Sequence, residues 1–546
     1  MSVGAGPGTE QKPQRHLTTV PQVLERAEQL RQQGQLAQAK DLCQQVVAAQ
    51  PRNADALHLL GIVLHQAGDA AAAIEMLQRA VAANPGAPLY FSNLGEMLRL
   101  SGRFDEAVAA GRRAVELHPG YAHGLNNLGI AHYDRREYEE AADCYRRALA
   151  RDPGFAEAHN NLGNAYRALH NLEESIASFD RALRLKPNYV DAVANQASAL
   201  HLIGRYDDAI AGYRKAIAMQ PMHANAHSGV GLLYLLNGDF AEGWYEYEWR
   251  WRSTELTTPT LPGAVWGGES LAGRRILVFS EQGFGDALQF CRYLPLLRER
   301  GATVLLRVPP PLKMLMAESM PWVQVSSDTK GGLPAYDCHC ALLSLPHRME
   351  TRLETIPAAV PYLRAPEEAL RRWASRIEAA PGELKVGIVW AGSKLHVNDL
   401  NRSIPLATWA PLLGVEGVRF FSLQVGDAAQ RLADGPGRKV ADLSALLTDY
   451  AETAAAVEQL DLVIAVDTSV VHLAGALAKP TWVLLPWVPD WRWLRDREDN
   501  PWYPTLRLFR QPARSAWEPV MTQVAQELAA ARSDRGRLTP ARGGTP

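Results

Sequence analysis

Three short polar segments carry the side chains of this chain that could do chemistry. The first is DTSVVH at 467–472, which follows the apolar run DLVIAV and continues into the helical pattern LAGALA. The apolar run predicts a strand buried on both faces, with Asp467 and Thr468 at its carboxyl edge. Ser469 is predicted to cap the following helix, whose N-terminus would present unpaired N–H groups to a diphosphate. His472, in the first turn, could add a hydrogen bond to a phosphate oxygen.

The second segment is EQGFGDAL, after the apolar run ILVF. Gly283 and Gly285 allow a tight turn, and Asp286 begins the next helix. A carboxylate at the mouth of a cleft could accept the proton of an attacking hydroxyl as a general base, with Glu281 as the nearest substitute. An Asp is also favoured electrostatically in any first helical turn, so a structural role stays open. The same holds for the first segment, where Asp and Ser could only cap a helix and His472 could be a core residue.

The third segment is AGSKLHVNDLNRSIP, after the apolar run KVGIVW. A turn at Ser393 is followed by three basic residues, Lys394, His396 and Arg402. Cations on this loop could bind a diphosphate and stabilise negative charge that develops on it. Lysines on loops are more often simply exposed to solvent, so Lys394 could have no role in binding.

Length and composition constrain the chain around these segments. At 546 residues it is too long for one core, so two or more domains are expected. A formal charge of −2 gives no electrostatic case for nucleic acid or an anionic membrane. We expect no transmembrane helix and no secretion signal, and therefore a cytoplasmic protein. Cys338 and Cys340 flank His339 in an alternating stretch that favours a strand core over a metal site.

The first half of the chain repeats with a period of 34 residues. The recurring positions are Pro51, Pro85, Pro119, Pro153, Pro187 and Pro221; Gly61, Gly95, Gly129 and Gly163; and Ala73, Ala107, Ala141, Ser175 and Ala209. Small residues let two helices approach closely, and proline ends the second helix of each pair. The pattern resembles the tetratricopeptide repeat. This resemblance implies an α-solenoid over 20–251, with about six repeats after a degenerate first one and a concave groove.

Four asparagines occupy one repeat position: Asn93, Asn127, Asn161 and Asn195. An amide both donates and accepts hydrogen bonds, so a ladder of them could hold an extended peptide backbone in the groove. The alternative is that these residues only cap or decorate their helices. The arrangement resembles the inner face of the repeat superhelix of O-GlcNAc transferases, which implies a protein or peptide partner.

The second half alternates short apolar runs with helical segments, which is typical of α/β layers. Strands are predicted at 276–279, 303–308, 323–327, 337–342, 385–390, 419–423, 439–444, 461–466 and 481–486. They form two Rossmann-like halves, 274–365 and 366–531, which a connector at 252–273 joins to the repeats. Residues 1–19 are expected to form a flexible tail, and residues 532–546 a disordered one.

The string DTSVVHLAGALAKP resembles the signature D-T-G-x-x-H-L-x-A-A-L-x-x-P of the ADP-heptose:lipopolysaccharide heptosyltransferases, and GFGDAL resembles their loop G-x-G-D-x-L. That family is inverting and metal-independent and has the GT-B fold of two Rossmann-like halves. The resemblance implies a diphosphate site around Asp467 to His472, a general base at Asp286, and phosphate contacts from Arg402. Gln424 stands where a base and ribose would sit. The predicted donor-binding set is Gly283, Gly285, Ser393, Lys394, Arg402, Gln424, Asp467, Thr468, Ser469 and His472.

Two departures from the family pattern bear on the donor sugar. Ser469 replaces a glycine, and PWVPDWRW replaces a short glycine-containing turn. The aromatic segment 488–510 could stack on a sugar or acceptor, or it could be a structural lid.

The sequence therefore predicts an α-solenoid of tetratricopeptide repeats followed by an α/β GT-B fold. The predicted activity is inverting, metal-independent transfer of a sugar from a nucleotide-diphosphate donor, with no cofactor besides that co-substrate. The acceptor is expected to be a protein recruited by the repeat groove. Two alternatives stay open: a non-catalytic repeat scaffold with a decayed GT-B domain, and a glycan-directed transferase whose repeats serve assembly.

Overall fold

The computed structural model describes residues 19–253, 259–327, 333–394, 398–433 and 435–540. The chain divides into two compact units, the first ending at Leu200 and the second beginning at His201. This division falls well before residue 251, the predicted end of the repeats. The last repeats therefore belong to the same unit as the α/β part of the chain.

Between residues 19 and 253 the described chain forms consecutive helical hairpins. The helices are α1 (Val20–Gln32), α2 (Leu36–Ala49), α3 (Ala54–Gln66), α4 (Ala70–Ala83), α5 (Pro88–Leu100), α6 (Phe104–Leu117), α7 (Ala122–Asp134), α8 (Tyr138–Arg151), α9 (Ala156–Ala168), α10 (Leu172–Leu185), α11 (Val190–Leu202), α12 (Tyr206–Met219), α13 (Ala224–Asn237) and α14 (Phe240–Tyr247). The 34-residue period therefore marks successive hairpins, and α1 with α2 forms a complete hairpin where the sequence predicted a degenerate repeat.

Glycine and an aromatic residue fit together inside the hairpins of the first unit. A Cβ atom added to Gly129 would lie 2.6 Å from Cε1 of Tyr145, and one added to Gly163 would lie 2.6 Å from Cε1 of Phe179. Both aromatic side chains are buried. Only glycine allows this approach, so the expectation that small residues let two helices approach closely is confirmed.

We expect Gly163→Ala to destabilise the first unit by about 1–3 kcal/mol, because the added methyl group overpacks the site against Phe179. Gly86→Ala is the matched control. Its Cβ would meet nothing closer than 3.6 Å, in an exposed turn. Urea unfolding followed by far-ultraviolet circular dichroism measures both variants, and equal midpoints for the two would contradict the packing argument.

From residue 259 onward the described chain builds two parallel sheets. The strands are β1 (Ala264–Val265), β2 (Arg275–Phe279), β3 (Thr303–Arg307), β4 (Gln324–Ser326), β5 (Cys338–Ala341), β6 (Leu384–Val389), β7 (Val418–Ser422), β8 (Ala441–Asp442), β9 (Leu462–Val466), β10 (Thr481–Leu485) and β11 (Leu506–Arg510). The first sheet has the order β1-β5-β2-β3-β4 and the second β11-β10-β9-β6-β7-β8.

The strand order of the second sheet is that of a doubly wound nucleotide-binding sheet, and it reverses between β6 and β9. In the first sheet the order reverses between β2 and β5. Ligands of such sheets bind outside the carboxyl ends of the strands at these reversal points. The three polar segments of the sequence follow β2, β6 and β9, so each begins at a reversal point.

Helices connect and cover the strands. They are α15 (Phe284–Phe290), α16 (Leu294–Glu299), α17 (Pro310–Ser319), α18 (Leu345–Arg348), α19 (Glu367–Ala374), α20 (Asp399–Arg402), α21 (Ala410–Leu413), α22 (Tyr450–Glu458), α23 (Ser469–Ala476) and α24 (Trp517–Ser533). The core of the second sheet consists of strand residues such as Ile388 and Ile464, together with Val520 and Val524 of α24.

Several predicted boundaries differ from the structure. The predicted connector contains β1, which pairs with β5, and it buries Trp266. Strand β11 was not predicted, and the strand predicted at 439–444 is reduced to β8.

The predicted disordered tail is wrong up to residue 540. Helix α24 runs to Ser533, and the carbonyl of buried Leu538 accepts a hydrogen bond of 3.1 Å from the indole of Trp482. Residues 1–18 and 541–546 lie outside the described residues.

Two further features concern membranes and cysteines. In the described ranges, no helix has both the length and the apolar character needed to cross a bilayer. Cys338 and Cys340 are buried on β5, as in the strand-core interpretation.

Candidate functional site

One large cleft in the second unit collects the predicted catalytic and donor-binding residues. Its volume is about 1790 Å³, and its lining follows the carboxyl ends of β2, β6, β7, β9 and β10. The predicted residues that line it are Gly283, Gly285, Asp286, Ser393, Lys394, Arg402, Gln424, Asp467, Thr468, Ser469 and His472. His396 lies outside the described residues. The two parallel sheets thus contribute to one cavity.

Helices α15 and α23 meet at this cleft through a glycine. A Cβ atom on Gly285 would lie 2.8 Å from Cδ2 of His472 and 3.5 Å from Cα of Ser469. Any larger residue at this position would push the two helices apart. The segments after β2 and β9 are therefore held in direct contact, although Gly285 and His472 are 187 positions apart in the sequence.

The start of α23 differs from the prediction in its cap. Thr468 is the N-cap residue and makes no side-chain capping hydrogen bond, whereas the predicted cap, Ser469, is the first helical residue. The hydroxyl oxygen of Ser469 instead accepts a 2.6 Å hydrogen bond from Tyr450. The buried Oγ1 of Thr468 has no hydrogen-bond partner within the described chain. The first turn of α23 therefore faces the cleft with its N–H groups uncapped by side chains.

His472 is a neutral imidazole in this setting. Burial, together with the nearby guanidinium of Arg492, lowers the pKa of His472 to about 3. Its Nδ1 lies 3.1 Å from the hydroxyl of Tyr503, and its ring stacks on Trp493 at 5.5 Å between centroids. The ring can therefore offer a hydrogen bond to a ligand but no positive charge.

Both carboxylate oxygens of Asp286 already have partners. Oδ2 accepts a 2.8 Å hydrogen bond from the backbone N–H of Gly283, and Oδ1 forms an ion pair with Arg492. Burial raises the pKa of Asp286, and the charge of Arg492 acts in the opposite direction. Each carboxylate oxygen has a second lone pair, so a substrate hydroxyl could still approach.

Glu281 cannot replace Asp286 as the base. Its side chain is absent from the cleft lining and forms a 3.0 Å ion pair with the buried Arg250. Burial raises the pKa of Glu281 to about 7, against the opposing effect of Arg250. The prediction of Glu281 as the nearest substitute was wrong because the chain turns after β2 and directs this side chain into the core.

Arg492 is the site residue that the sequence did not reveal. It lines the cleft, and its Nη1 lies 2.8 Å from Oδ1 of Asp490. Its Nε donates a 2.8 Å hydrogen bond to the side chain of Gln289, and its guanidinium lies 4.3 Å from the ring centroid of Trp491. The available signal was the segment PDWRW, at the point where the chain departs from the heptosyltransferase pattern.

Asp467 is a further carboxylate of the cleft lining, directly after β9. Within the described residues the carboxylate of Asp467 makes no ion pair. The buried indole N–H of Trp493 is close enough to lower the pKa of Asp467, although it makes no hydrogen bond of ordinary geometry. Burial and the charge of Asp490 raise the pKa of Asp467, while Arg402 opposes this rise. Arg402 is therefore close enough to influence the carboxylate electrostatically.

The basic loop after β6 contains one buried and one exposed cation. Arg402 is 9% exposed, lies against the backbone of Gly392, and has Asp399 at 3.5 Å. The side chain of Lys394 is 72% exposed and pairs with Asp427 at 3.1 Å. Ser393 also lines the cleft. Arg402 is thus held in the site, whereas Lys394 occupies the surface position that is common for loop lysines.

The side-chain amide of Gln424 hydrogen-bonds to the backbone of the protein at both ends. Its Oε1 accepts hydrogen bonds from the backbone N–H groups of Trp390 and Ala391, at 3.2 and 2.9 Å. Its Nε2 donates to the carbonyl of Val425 at 3.2 Å. The side chain lines the cleft, but it is only 5% exposed and its polar atoms are already used.

The aromatic residues of segment 488–510 are buried in the protein. They form neither a lid over the cleft nor an exposed surface on which a sugar could stack. The large aromatic residues inside this segment are buried: Trp491, Trp493, Trp502 and Tyr503. Trp491 and Trp502 pack against the last repeat helix, with Trp244 lying 5.2 Å from Trp491 between ring centroids. Trp493 and Tyr503 lie against the ring of His472. The exposed aromatic residue of this region is Trp487, which precedes the segment and lines the cleft with 42% of its surface exposed.

The asparagine ladder of the first unit connects neighbouring hairpins. Each Nδ2 contacts a side chain 35 positions earlier: Asn93 meets His58 at 2.8 Å, Asn127 meets Ser92 at 3.1 Å, Asn161 meets Asn126 at 3.0 Å, and Asn195 meets Asn160 at 3.0 Å. The ladder is therefore in part structural, because each amide nitrogen already has one partner in the preceding hairpin.

We expect the pH dependence of stability to reveal the neutral state of His472. Its pKa is depressed in the folded protein, so its contribution to stability is complete above about pH 6.5 and is lost as the pH falls towards 3. Between pH 7.5 and pH 5 the wild type should lose about 2 kcal/mol more than His472→Gln. All 14 tryptophans lie in the second unit, so urea unfolding followed by their fluorescence measures this unit alone. Equal losses would contradict a buried neutral ring.

The family models that match this chain fall in the repeat region. Models described as tetratricopeptide repeat match residues 30–94, 87–153 and 126–190, and one described as TPR repeat matches 197–238. Protein FlbA of Caulobacter vibrioides is 28% identical over 279 residues, which are 46% of this chain and 46% of FlbA. The chain thus spans about half the length of this curated relative.

Solved structures are similar over the same kind of region. The crystal structure of MamA is 25% identical, covers 30% of this chain and 94% of its own, and gives a TM-score of 0.28. The crystal structure of the APC/C hetero-tetramer Cut9–Hcn1 is 18% identical, covers 40% of this chain and 44% of its own, and gives a TM-score of 0.37. With the family models and the helical hairpins, the N-terminal half of this chain is a tetratricopeptide-repeat array.

Proposed function

We propose that this protein is an inverting, metal-independent glycosyltransferase of the GT-B fold. It moves a sugar from a nucleotide-diphosphate donor to a protein that the repeat groove recruits. The observation that carries the proposal is the shared cleft of the second unit. The carboxylate of Asp286, the N-terminus of α23 and two buried guanidinium groups line it, at the points where the two parallel sheets reverse their strand order.

The donor's diphosphate is proposed to bind at the start of α23. The uncapped N–H groups of its first turn carry partial positive charge, and the guanidinium of Arg402 supplies a full one. The neutral ring of His472 and the orphaned hydroxyl of Thr468 provide further hydrogen bonds. A buried polar atom without a partner calls for an explanation, and a bound phosphate oxygen would satisfy Thr468.

The chemical step proposed here needs only a base and a stabilised leaving group. The acceptor hydroxyl attacks the anomeric carbon on the face opposite the diphosphate, and its proton passes to Asp286. The bond between the anomeric carbon and the diphosphate oxygen breaks, and the electron pair leaves with the diphosphate. Arg402 and the start of α23 stabilise the charge that develops there.

The protein acceptor is proposed from the polar inner face of the repeats. The Nδ2 donors of the asparagine ladder are engaged, but the Oδ1 atoms of Asn127 and Asn195 form no hydrogen bond within the described residues. They can accept from the backbone N–H groups of an extended peptide without reading its sequence.

A non-catalytic scaffold is the second candidate function. The observation that favours it is the ion pair between Asp286 and Arg492, because a carboxylate with two partners can be a structural element alone. In that case the cleft would bind a nucleotide, or nothing, without turnover.

We expect Arg402→Gln to weaken the binding of nucleoside diphosphates by roughly 10- to 100-fold, because a charged hydrogen bond contributes about 1.5–3 kcal/mol. Lys394→Gln is the matched control, since its side chain is exposed and already paired with Asp427. Titration calorimetry with ADP, UDP and GDP measures both variants. Equal affinities of the two variants for the best ligand would remove Arg402 from the site.

A transfer assay separates the enzyme from the scaffold and identifies the acceptor class. The wild-type chain is incubated with a panel of radiolabelled nucleotide sugars and a cell extract, and Asp286→Asn serves as the inactive reference. We expect the label on protein, where protease treatment releases it as labelled peptides. Label in a protease-resistant glycan or lipid fraction would establish the glycan-directed alternative. No released nucleoside diphosphate from any donor would favour the scaffold.

A further inference from the structure

We propose that Arg492 is a positioning residue that holds the Asp286 carboxylate in place as the proton acceptor of the transfer reaction. This inference rests on the proposed function and adds to it a residue outside the segments that resemble the heptosyltransferases. The two residues come from opposite halves of the cleft. Asp286 follows β2 of the first sheet, and Arg492 follows β10 of the second.

The contacts of Arg492 fix its guanidinium on three sides. Nη2 pairs with Oδ1 of Asp286, Nη1 lies 2.8 Å from Oδ1 of Asp490, and Nε donates to Gln289 at 2.8 Å. Its backbone carbonyl accepts a 2.9 Å hydrogen bond from the buried amide of Asn500. Gln289 lies on α15, three residues after Asp286. One guanidinium therefore binds two positions of the helix that carries the proposed base.

The surroundings of Asp286 explain why a base here needs a cation. Asp490 and Glu281 are the other carboxylates that act on it, and each disfavours a further negative charge nearby. Tyr247 from the last repeat hairpin and the neutral His472 contribute no positive charge. Arg492 is the principal group that counters the effect of burial on the pKa of Asp286. Without it, burial would favour the protonated acid, which cannot accept a proton.

Arg492 is placed to serve the base rather than the diphosphate. Its side chain is 9% exposed, and its Nη1, Nη2 and Nε donors all have partners inside the protein. Arg402 is the guanidinium with the weaker internal partner, at 3.5 Å from Asp399. The two guanidinium groups therefore have different tasks in this proposal: Arg402 serves the leaving diphosphate, and Arg492 serves the base.

The test compares three variants by the pH dependence of kcat/KM in the transfer assay, since the acid limb of this profile reports the base of the free enzyme. Arg492→Gln should move the acid limb to higher pH by about one unit or more, because the base loses its cation. Asp490→Asn should move the limb to lower pH, because it removes a neighbouring negative charge. Arg492→Lys keeps the charge, so it should lower kcat and leave the limb in place.

Binding of UDP, ADP and GDP to the same variants provides a second readout. A positioning residue should leave the affinity for the best nucleoside diphosphate within about threefold of the wild type, well under 1.4 kcal/mol. A loss of affinity in Arg492→Gln with an unmoved acid limb would make Arg492 a phosphate ligand and overturn the inference. A limb that moves the same way in Arg492→Gln and Asp490→Asn would overturn it as well.

Failure of the inference can be told from failure of the proposed function. If the wild-type chain turns over no nucleotide sugar, the proposed function falls and the inference falls with it. If the wild type is active and the acid limb is the same in all variants, the inference alone is wrong. If Arg492→Gln does not fold, the different responses of the other two variants still decide. Arg492→Lys should leave the acid limb in place, and Asp490→Asn should move it to lower pH.

Discussion

Buried guanidinium groups hold together the elements that surround the cleft. Taking a charge out of water costs several kcal/mol unless its donors are matched. Most donor atoms of Arg250, Arg292 and Arg492 have partners inside the protein. Arg250 ties the end of the last repeat hairpin to the first sheet through Glu281. Arg292 donates to the carbonyl of Trp502 at 2.6 Å, and Arg492 joins the two halves. Removing any of their partners would leave a buried charge unsatisfied, so the shape of the cleft depends on all three.

The parts of the fold that the sequence predicted are those that local signals specify. A 34-residue period requires each hairpin to pack on the next, and a continuous apolar run followed by Asp467 marks the carboxyl end of a buried strand. Partners that are distant in sequence leave no such signal. Glu281 and Asp286 look equivalent in the sequence, but one enters the core because Arg250 is there, and the other faces the cleft. Arg492 escaped prediction for the same reason.

Amide side chains show this limit most clearly. Both the asparagine ladder and Gln424 were predicted as ligand groups because an amide can donate and accept. The structure uses most of that capacity internally: Asn161 reaches the preceding hairpin, and Gln424 holds the loop after β6. A repeat position fixes the distance to the equivalent residue of the next hairpin, so a ladder in register predicts pairing between repeats as readily as it predicts a binding surface.

The segment after β10 combines two roles. Its aromatic residues fill the space between the sheets and the last repeat hairpin, and its charged residues Asp490 and Arg492 face the cleft. Burial of Trp491 and Trp493 fixes the backbone on either side of Arg492 and thereby orients the guanidinium. A short turn could not do this, because it offers no anchors for such a side chain. The packing of the last repeat hairpin against these aromatic residues therefore helps to fix Arg492 beside Asp286, the proposed base. The buried aromatic residues and the guanidinium belong to one segment of the chain.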